Sequence, residues 1–329
     1  MNRERPAFPM IRCGVLAAMA LLSVAAAPAP ESAAVTIGFN PPVGIALHYD
    51  CTAVRTIEGR AQTLAGRHTL QFAATTPRSL RWTMTALAVT GDEPVRKLLQ
   101  AVGDITVGQP VEITLTPEGS ALAISNEPTL RAHVAAMAPA VAASFEPIFA
   151  PAPEAARQAL ESLLADELAA LAPSTPEAFA ASWLEAVEPL LGGEAPLVPD
   201  AVVEADVEAQ APIGGGALRY KLRYGLRDYV PGQSAQIFHT LTADPVDVQR
   251  YAAAFVAQMF PDAGAPGQNE ATATQAMLSM MTSTTEIVSD ISLKTGLRTH
   301  FSTTTTTTIP GRPPRTESRT CALSDKKVS

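Results

Sequence analysis

The residues best suited to chemistry in this sequence are its cysteines, its histidines and one run of alternating basic residues. Cys51 and Cys321 lie far apart, and Cys13 falls in an apolar run near the N-terminus. The five histidines, at positions 48, 68, 133, 239 and 300, share no spacing that metal sites use. We therefore predict no metal site and no cofactor.

Nucleophilic catalysis has no recognisable motif here. The segment Gly232–Gln236 lacks the second glycine of a nucleophile elbow and falls between predicted strands, not at a strand-to-helix turn. Ser324–Lys327 matches Ser-x-x-Lys only in the terminal tail. We predict a protein that works by binding and has no catalytic centre. The alternative is a hydrolase whose site is assembled from distant residues.

One predicted strand, near 217–228, carries basic residues on one face and apolar residues on the other. Its basic residues are Arg219, Lys221, Arg223 and Arg227. Its apolar residues are Leu218, Tyr220, Leu222, Tyr224 and Leu226. The two-residue period of a strand separates these sets, so we predict that Leu218, Tyr220, Leu222 and Leu226 enter the core and that the basic set points outward. The basic face is a candidate surface for an anionic ligand, a lipid headgroup or acidic helices of the same chain. The alternative is an ordinary solvated sheet face, since exposed strands often carry Lys and Arg.

The N-terminus is typical of a cleavable secretory signal peptide. Arg12 precedes an apolar run, Cys13–Ala27, that is shorter than the roughly 20 residues of a membrane span. We therefore expect an exported protein, periplasmic or secreted. Cys51 and Cys321 both lie on the apolar sides of their predicted strands, so an oxidising compartment favours a disulfide between them.

The charge is negative overall and unevenly distributed. The formal charge is −8, and removal of residues 1–26 lowers it to −10. Nucleic acid is therefore excluded as an expected partner. Residues 151–210 carry twelve acids and one base, whereas residues 286–329 carry seven bases and four acids. We expect an electrically lopsided molecule.

The elements that must position these residues are mainly antiparallel strands. In the first half, alternating residues predict strands near 45–51, 70–72, 80–86, 111–115 and 122–124, with a helix from Asp92 to Val102. The third of these strands places Leu80, Trp82, Met84 and Ala86 on one face. The last forty residues predict strands at 286–294, 297–309 and 315–323. In the middle strand of these three, Arg298 and His300 are predicted to lie on one face and Phe301 on the other.

Helical spacing at 128–138, 153–172 and 175–191 predicts a layer rich in Ala, Leu and Glu. We divide the chain into a signal peptide at 1–26, an N-terminal β-rich half at 27–127, an acidic helical segment at 128–200, a C-terminal β-rich half at 201–323 and a tail at 324–329. The predicted fold class is α+β, with antiparallel meanders in two sequence halves, forming a curved or half-barrel sheet under a helical layer.

The predicted function is that of a non-catalytic envelope protein of the binding, carrier or scaffold type. In its layers alone, the arrangement resembles exported carriers in which a curved antiparallel sheet holds an apolar ligand over helices. This resemblance implies an apolar or amphipathic ligand held in a sheet–helix cradle. Besides the hydrolase, a structural protein that docks an envelope partner through its acidic helical layer is a further alternative.

Overall fold

A computed structural model describes residues 34–57, 60–75, 77–91, 93–149, 154–173, 175–192, 196–210, 217–259 and 276–324. The predicted signal peptide and most of the predicted tail lie outside these described residues. The strands are β1 (Ala46–Ile57), β2 (Arg60–Ala73), β3 (Ser79–Thr90), β4 (Pro110–Leu115), β5 (Ala121–Ile124), β6 (Val202–Gln210), β7 (Ala217–Val230), β8 (Ser234–Ala243), β9 (Thr282–Ser292), β10 (Arg298–Thr308) and β11 (Arg315–Leu323). The helices are α1 (Glu93–Asp104), α2 (Glu127–Phe149), α3 (Glu154–Leu171), α4 (Pro176–Leu184) and α5 (Pro245–Met259), with a 3-10 turn at Glu188–Leu190.

All eleven strands form a single antiparallel sheet in the order β5-β4-β3-β2-β1-β11-β10-β9-β8-β7-β6. Strands β1 to β5 lie in order from the middle of the sheet to one edge. Helices α2, α3 and α4 then lead to the opposite edge, and strands β6 to β11 lie in order from that edge back to the middle. The two predicted meanders are thus confirmed, and they join into one sheet. Within the described residues, β5 and β6 remain its edges, so the sheet is not closed.

The two halves meet where β1 pairs with β11, a pairing called here the seam. It runs from Tyr49 opposite Leu323 to Thr56 opposite Thr316. The predicted disulfide between Cys51 and Cys321 crosses the seam at directly opposed positions, with both cysteines buried. A disulfide of this kind is typical of an oxidising compartment and not of the reducing cytoplasm.

The helices cover only part of the sheet. They contact it at separate places: α1 on β3, α4 on β5, α5 on β7 and the 3-10 turn on β10. The start of α4 is defined by Thr175, whose hydroxyl accepts from the Ala178 N–H, with Pro176 in the first turn. In the part of the chain that the structure describes, every helix is too short or too polar to span a membrane.

Burial along β7 confirms the predicted orientation of that strand. Leu218, Tyr220, Leu222 and Leu226 are all nearly inaccessible. The four alternating basic residues are exposed. A slip of one residue would bury several charges, so the hydrophobic pattern alone sets this register.

Two β-bulges move residues off the faces that simple alternation predicts. In β3 the register shifts beside Thr85, so Ala86 is exposed and Val89 becomes buried instead. In β10 the shift falls between Arg298 and His300. Alternation predicts that Arg298 and Phe301 lie on different faces of the sheet, whereas the bulge puts them on the same face. One extra residue on one strand is enough to invert the pattern beyond it.

Candidate ligand-binding site

The register of the central strands shows which side chains share the helix-facing side of the sheet, called here the inner face. Residues paired directly across antiparallel strands point to the same side. The row through the disulfide contains Cys51, Cys321, Phe301, Ser289, Ile237 and Leu226. The second row contains Ala53, Arg319, Thr303, Ile287, His239 and Tyr224. The third row contains Arg55, Glu317, Thr305, Thr285, Leu241 and Leu222. On the central strands the inner face therefore changes from apolar to polar along the strand direction.

The apolar end of the inner face is tightly packed. Tyr49, Cys51 and Phe301 are buried there, and the Tyr49 hydroxyl donates to the Arg298 carbonyl at 2.8 Å. Burial raises the pKa of Tyr49 far above its ordinary value, so this hydroxyl stays protonated. This end of the inner face is part of the hydrophobic core.

An N-terminal strap, residues 34–45, closes the same end. Phe39 packs edge-on against Phe72, with ring centroids 5.7 Å apart, and its carbonyl accepts from Arg78 Nη1 at 2.8 Å. Three glycines from distant turns surround it. They are Gly119, Gly192 and Gly296, and a Cβ on any of them would lie within 3.0 Å of strap atoms. Glycine is required at these positions because the strap backbone and ring occupy the side-chain space.

The middle of the inner face is less completely packed. Ala53, Thr303 and Arg319 of the second row are half-buried, and so is Leu64, which lies opposite Ala53 on β2. Ile287, in the same row but nearer the β6 edge, is buried. A strip of partly accessible surface therefore runs across the central strands on the side where the helices lie.

An arginine cluster borders this strip. Glu317 Oε1 lies 2.9 Å from Arg55 Nε and 3.0 Å from Arg315 Nε. The side chains of Arg55 and Arg315 are 12% and 20% exposed, and that of Glu317 is 33% exposed. Arg319 follows on the same face of β11. The adjacent strand contributes hydroxyls, among them Thr305 Oγ1, which lies 2.9 Å from Thr285 Oγ1.

Two arginines of the inner face fasten the helical segment to the sheet. Arg319 donates to the carbonyls of Glu185 and Ala186, at 3.1 and 2.6 Å, just beyond the C-terminus of α4. Arg298 donates to the Pro189 carbonyl at 2.8 Å. A cation at a helix C-terminus also interacts favourably with the helix dipole. Burial raises the pKa of Glu185 to about 7, although the nearby Arg319 opposes that shift.

The histidines occupy separate environments. Trp82 Nε1 donates to His68 Nδ1 at 3.1 Å, and burial lowers the pKa of His68 to about 4, so it is neutral at physiological pH. His239 stacks on Tyr224, with centroids 5.7 Å apart. His300 Nδ1 lies 3.7 Å from Asp290 Oδ2 on an accessible surface. Among the residues that the structure describes, no group of three or more His, Cys, Asp or Glu is arranged to hold a metal ion.

The four basic residues of the predicted surface on β7 have acceptors within their own chain. Lys221 Nζ lies 2.6 Å from Asp206, and Arg223 Nε lies 3.1 Å from Glu204. Arg227 Nε donates to Gln236 Oε1 at 2.6 Å. A ligand-binding role for this face stays a prediction.

Arg219, the remaining member of that set, holds a helix in place. Its Nε and Nη2 donate to the two carboxylate oxygens of Asp247 at 2.8 and 2.9 Å, and its backbone N–H donates to the same group. These hydrogen bonds lower the pKa of Asp247 to about 2. Asp247 is buried at the start of α5, so the pair docks that helix onto β7.

Sequence reasoning did not single out the arginines of the inner face. The signal was present, because Arg55 shares its parity with Cys51, and Arg319 and Arg315 share theirs with Cys321. Once a disulfide is assigned between opposed strands, every second residue on either side must lie on the same face. Arg298 could not be found this way, because the bulge in β10 reverses its parity.

No protein-family model and no curated protein sequence matches this chain. A solved structure described as "Lipid-protein interactions in lipovitellin" aligns with 88% of this chain at 10% sequence identity and a TM-score of 0.39. The chain spans about a quarter of that protein, since the alignment covers 26% of it. A likeness at this level carries no argument about function.

Proposed function

We propose that this protein is an exported carrier that holds an apolar or amphipathic ligand between the centre of its sheet and its helical segment. The half-buried strip on the inner face is the observation that supports this proposal. Side chains on the helix-facing side of a filled core would be inaccessible, as Ile287 is. Ala53, Leu64 and Thr303 instead keep part of their surface accessible.

The attachment of the helical segment is consistent with a carrier. Beyond the apolar cluster that α4 and the 3-10 turn share with Tyr49 and Phe301, the segment is held to the central strands by the guanidinium groups of Arg298 and Arg319. A guanidinium group can keep its hydrogen bonds when the acceptor changes from a backbone carbonyl to water or to a ligand oxygen, so exchange costs less than removal of the arginine. A ligand can therefore enter beneath the segment without disrupting the packed end of the core.

The direct test is to fill the strip with a large side chain. Ala53→Trp would place an indole on the inner face, whereas Thr52→Trp would place one on the exposed outer face of the same strand. We expect purified wild-type protein and Thr52→Trp to bind an apolar fluorescent probe, and Ala53→Trp to bind it at least tenfold more weakly. Circular dichroism and urea unfolding would establish that both variants fold.

A second measurement examines the natural ligand. Protein released from its native host under mild conditions, then analysed by native mass spectrometry, should carry an added organic mass that solvent extraction removes. If the probe does not bind to wild-type protein, or if it binds equally to both tryptophan variants, the carrier proposal is wrong.

A further inference from the structure

The second and third rows of the inner face collect positive charge beside hydroxyl groups. Three guanidinium groups, those of Arg55, Arg315 and Arg319, lie on two neighbouring strands. Glu317 is the carboxylate among them, and Glu185, with its raised pKa, lies near Arg319. At 12% and 20% exposure, Arg55 and Arg315 are largely removed from water. Collecting like charges in a partly desolvated place is unfavourable unless an anion offsets them.

The surroundings of this cluster also suit an anion. Thr303 and Thr305 face Arg319 and Glu317 directly across β10 and β11, so their hydroxyls point to the same side as the guanidinium groups. Both threonines are half-buried, which leaves them within reach of a bound group. Guanidinium forks with neighbouring hydroxyl donors match the planar or tetrahedral oxygens of carboxylates and phosphates.

The apolar part of the strip begins next to the cluster. Ala53 lies opposite Arg319, and Leu64 lies opposite Ala53 on the next strand. An amphiphile with its head on the arginines would lay its chain over these side chains. The chain would then lie toward β2, where Leu64 borders the buried apolar cluster formed by β3, α1, α2 and α3.

We propose that Arg55, Arg315 and Arg319 bind the anionic headgroup of an acyl-chain amphiphile, with Thr303 and Thr305 as additional donors. This inference rests on the proposed carrier function and adds the ligand class: a single-chain or multi-chain lipid with a carboxylate or phosphate head. The arginines that face outward on β7 play no part in this site.

The test compares amphiphiles with the same twelve-carbon chain below their critical micelle concentrations, measured by isothermal titration calorimetry. Laurate and dodecyl phosphate carry anionic heads, and dodecyl maltoside carries a neutral one. We expect the wild-type protein to bind an anionic compound at least tenfold more tightly than the neutral compound. Whichever of laurate and dodecyl phosphate binds more tightly identifies the preferred headgroup as a carboxylate or a phosphate.

Two substitutions locate the site. Arg55→Gln should weaken binding of the anionic compound about tenfold and leave binding of dodecyl maltoside within twofold. Arg223→Gln is the matched control, because it removes one positive charge from the outer face, where Arg223 pairs with Glu204. This control should leave both affinities unchanged.

Glu317→Gln separates a binding role from structural damage. Removal of this carboxylate raises the positive charge of the cluster, so the anionic compound should bind several-fold more tightly, whereas a merely disrupted fold would bind it more weakly. Equal affinity for all three compounds, unchanged by Arg55→Gln, would overturn the headgroup site while leaving the carrier function standing. Binding of none of them would overturn both.

Discussion

Substitution of Gly296 by alanine should loosen the N-terminal strap, and Gly311 provides a matched control. Both glycines lie in turns between the last three strands and have similar positive φ angles, +70° and +76°. Alanine in this left-handed region costs roughly 1–2 kcal/mol at either position. A Cβ on Gly311 would meet nothing within 4 Å.

At Gly296 the same methyl group would overlap the strap. Its Cβ would lie 2.3 Å from the Gly38 carbonyl oxygen and 2.9 Å from Phe39 Cα. These are backbone atoms, which cannot rotate away, so we expect a further loss of about 1–3 kcal/mol from overpacking. The difference between the two variants isolates the strap contact, because the conformational cost cancels.

Equilibrium urea unfolding followed by tryptophan fluorescence would give both free energies of unfolding. Amide hydrogen exchange should also show faster exchange at Asn40, whose N–H donates to the Thr295 carbonyl at 2.8 Å, in Gly296→Ala alone. Equal destabilisation by the two substitutions, with unchanged exchange at Asn40, would refute the idea that the strap depends on this glycine.

Three further predictions follow from the seam and from the helix contacts. Replacing Cys51 and Cys321 with alanine should lower the free energy of unfolding by about 5 kcal/mol, because the disulfide joins residues 270 apart, and should raise the urea m-value because the unfolded chain expands. A reducing agent should have no effect on this double variant. An unchanged urea midpoint of the wild-type protein after reduction would contradict the prediction. Arg319→Met should lower the free energy of unfolding by about 2–4 kcal/mol, because it removes two charge-assisted hydrogen bonds, and should speed amide exchange at 176–190. Arg223→Met, the control, should do neither. Equal exchange rates in the two variants would show that Arg319 does not hold the helical segment. The folded-state pKa of Glu185 lies above its ordinary 4.5, so the folded state binds the proton more tightly and the free energy of unfolding should fall as pH rises from about 4.5 to about 7. The Glu185→Gln variant should lack that fall. Parallel plots of unfolding free energy against pH for the two proteins would show that Glu185 does not titrate in this way.

The parts of the fold that depend on local pattern were predictable. The orientation of β7 follows from two-residue alternation, and the start of α4 follows from Thr175 and Pro176. The pairing of Cys51 with Cys321 follows from the count of two cysteines beyond the predicted signal peptide. The first two features depend on neighbouring residues and the third on residue counting, and both are visible in the sequence.

The parts that depend on distant contacts were not predictable. Alternation cannot reveal the bulge that moves Arg298 to the inner face, since the extra residue is defined by its pairing with β9. The position of Phe39 depends on glycines that lie 80 or more residues away in the sequence, and nothing near Phe39 indicates them. The partial accessibility of Ala53 and Thr303 depends on where the helices settle, which single-sequence pattern does not determine.

The seam also dictates an order of folding. Nine of the ten strand pairings described here join strands that are consecutive along the chain, and only the pairing of β1 with β11 spans nearly the whole sequence. Short loops close at lower entropic cost than long ones, so the hairpins of each half should form before the halves meet. The disulfide of Cys51 with Cys321 should therefore form only after β11 has paired with β1. Until then, Cys51 remains a free thiol that can form a disulfide with a second molecule.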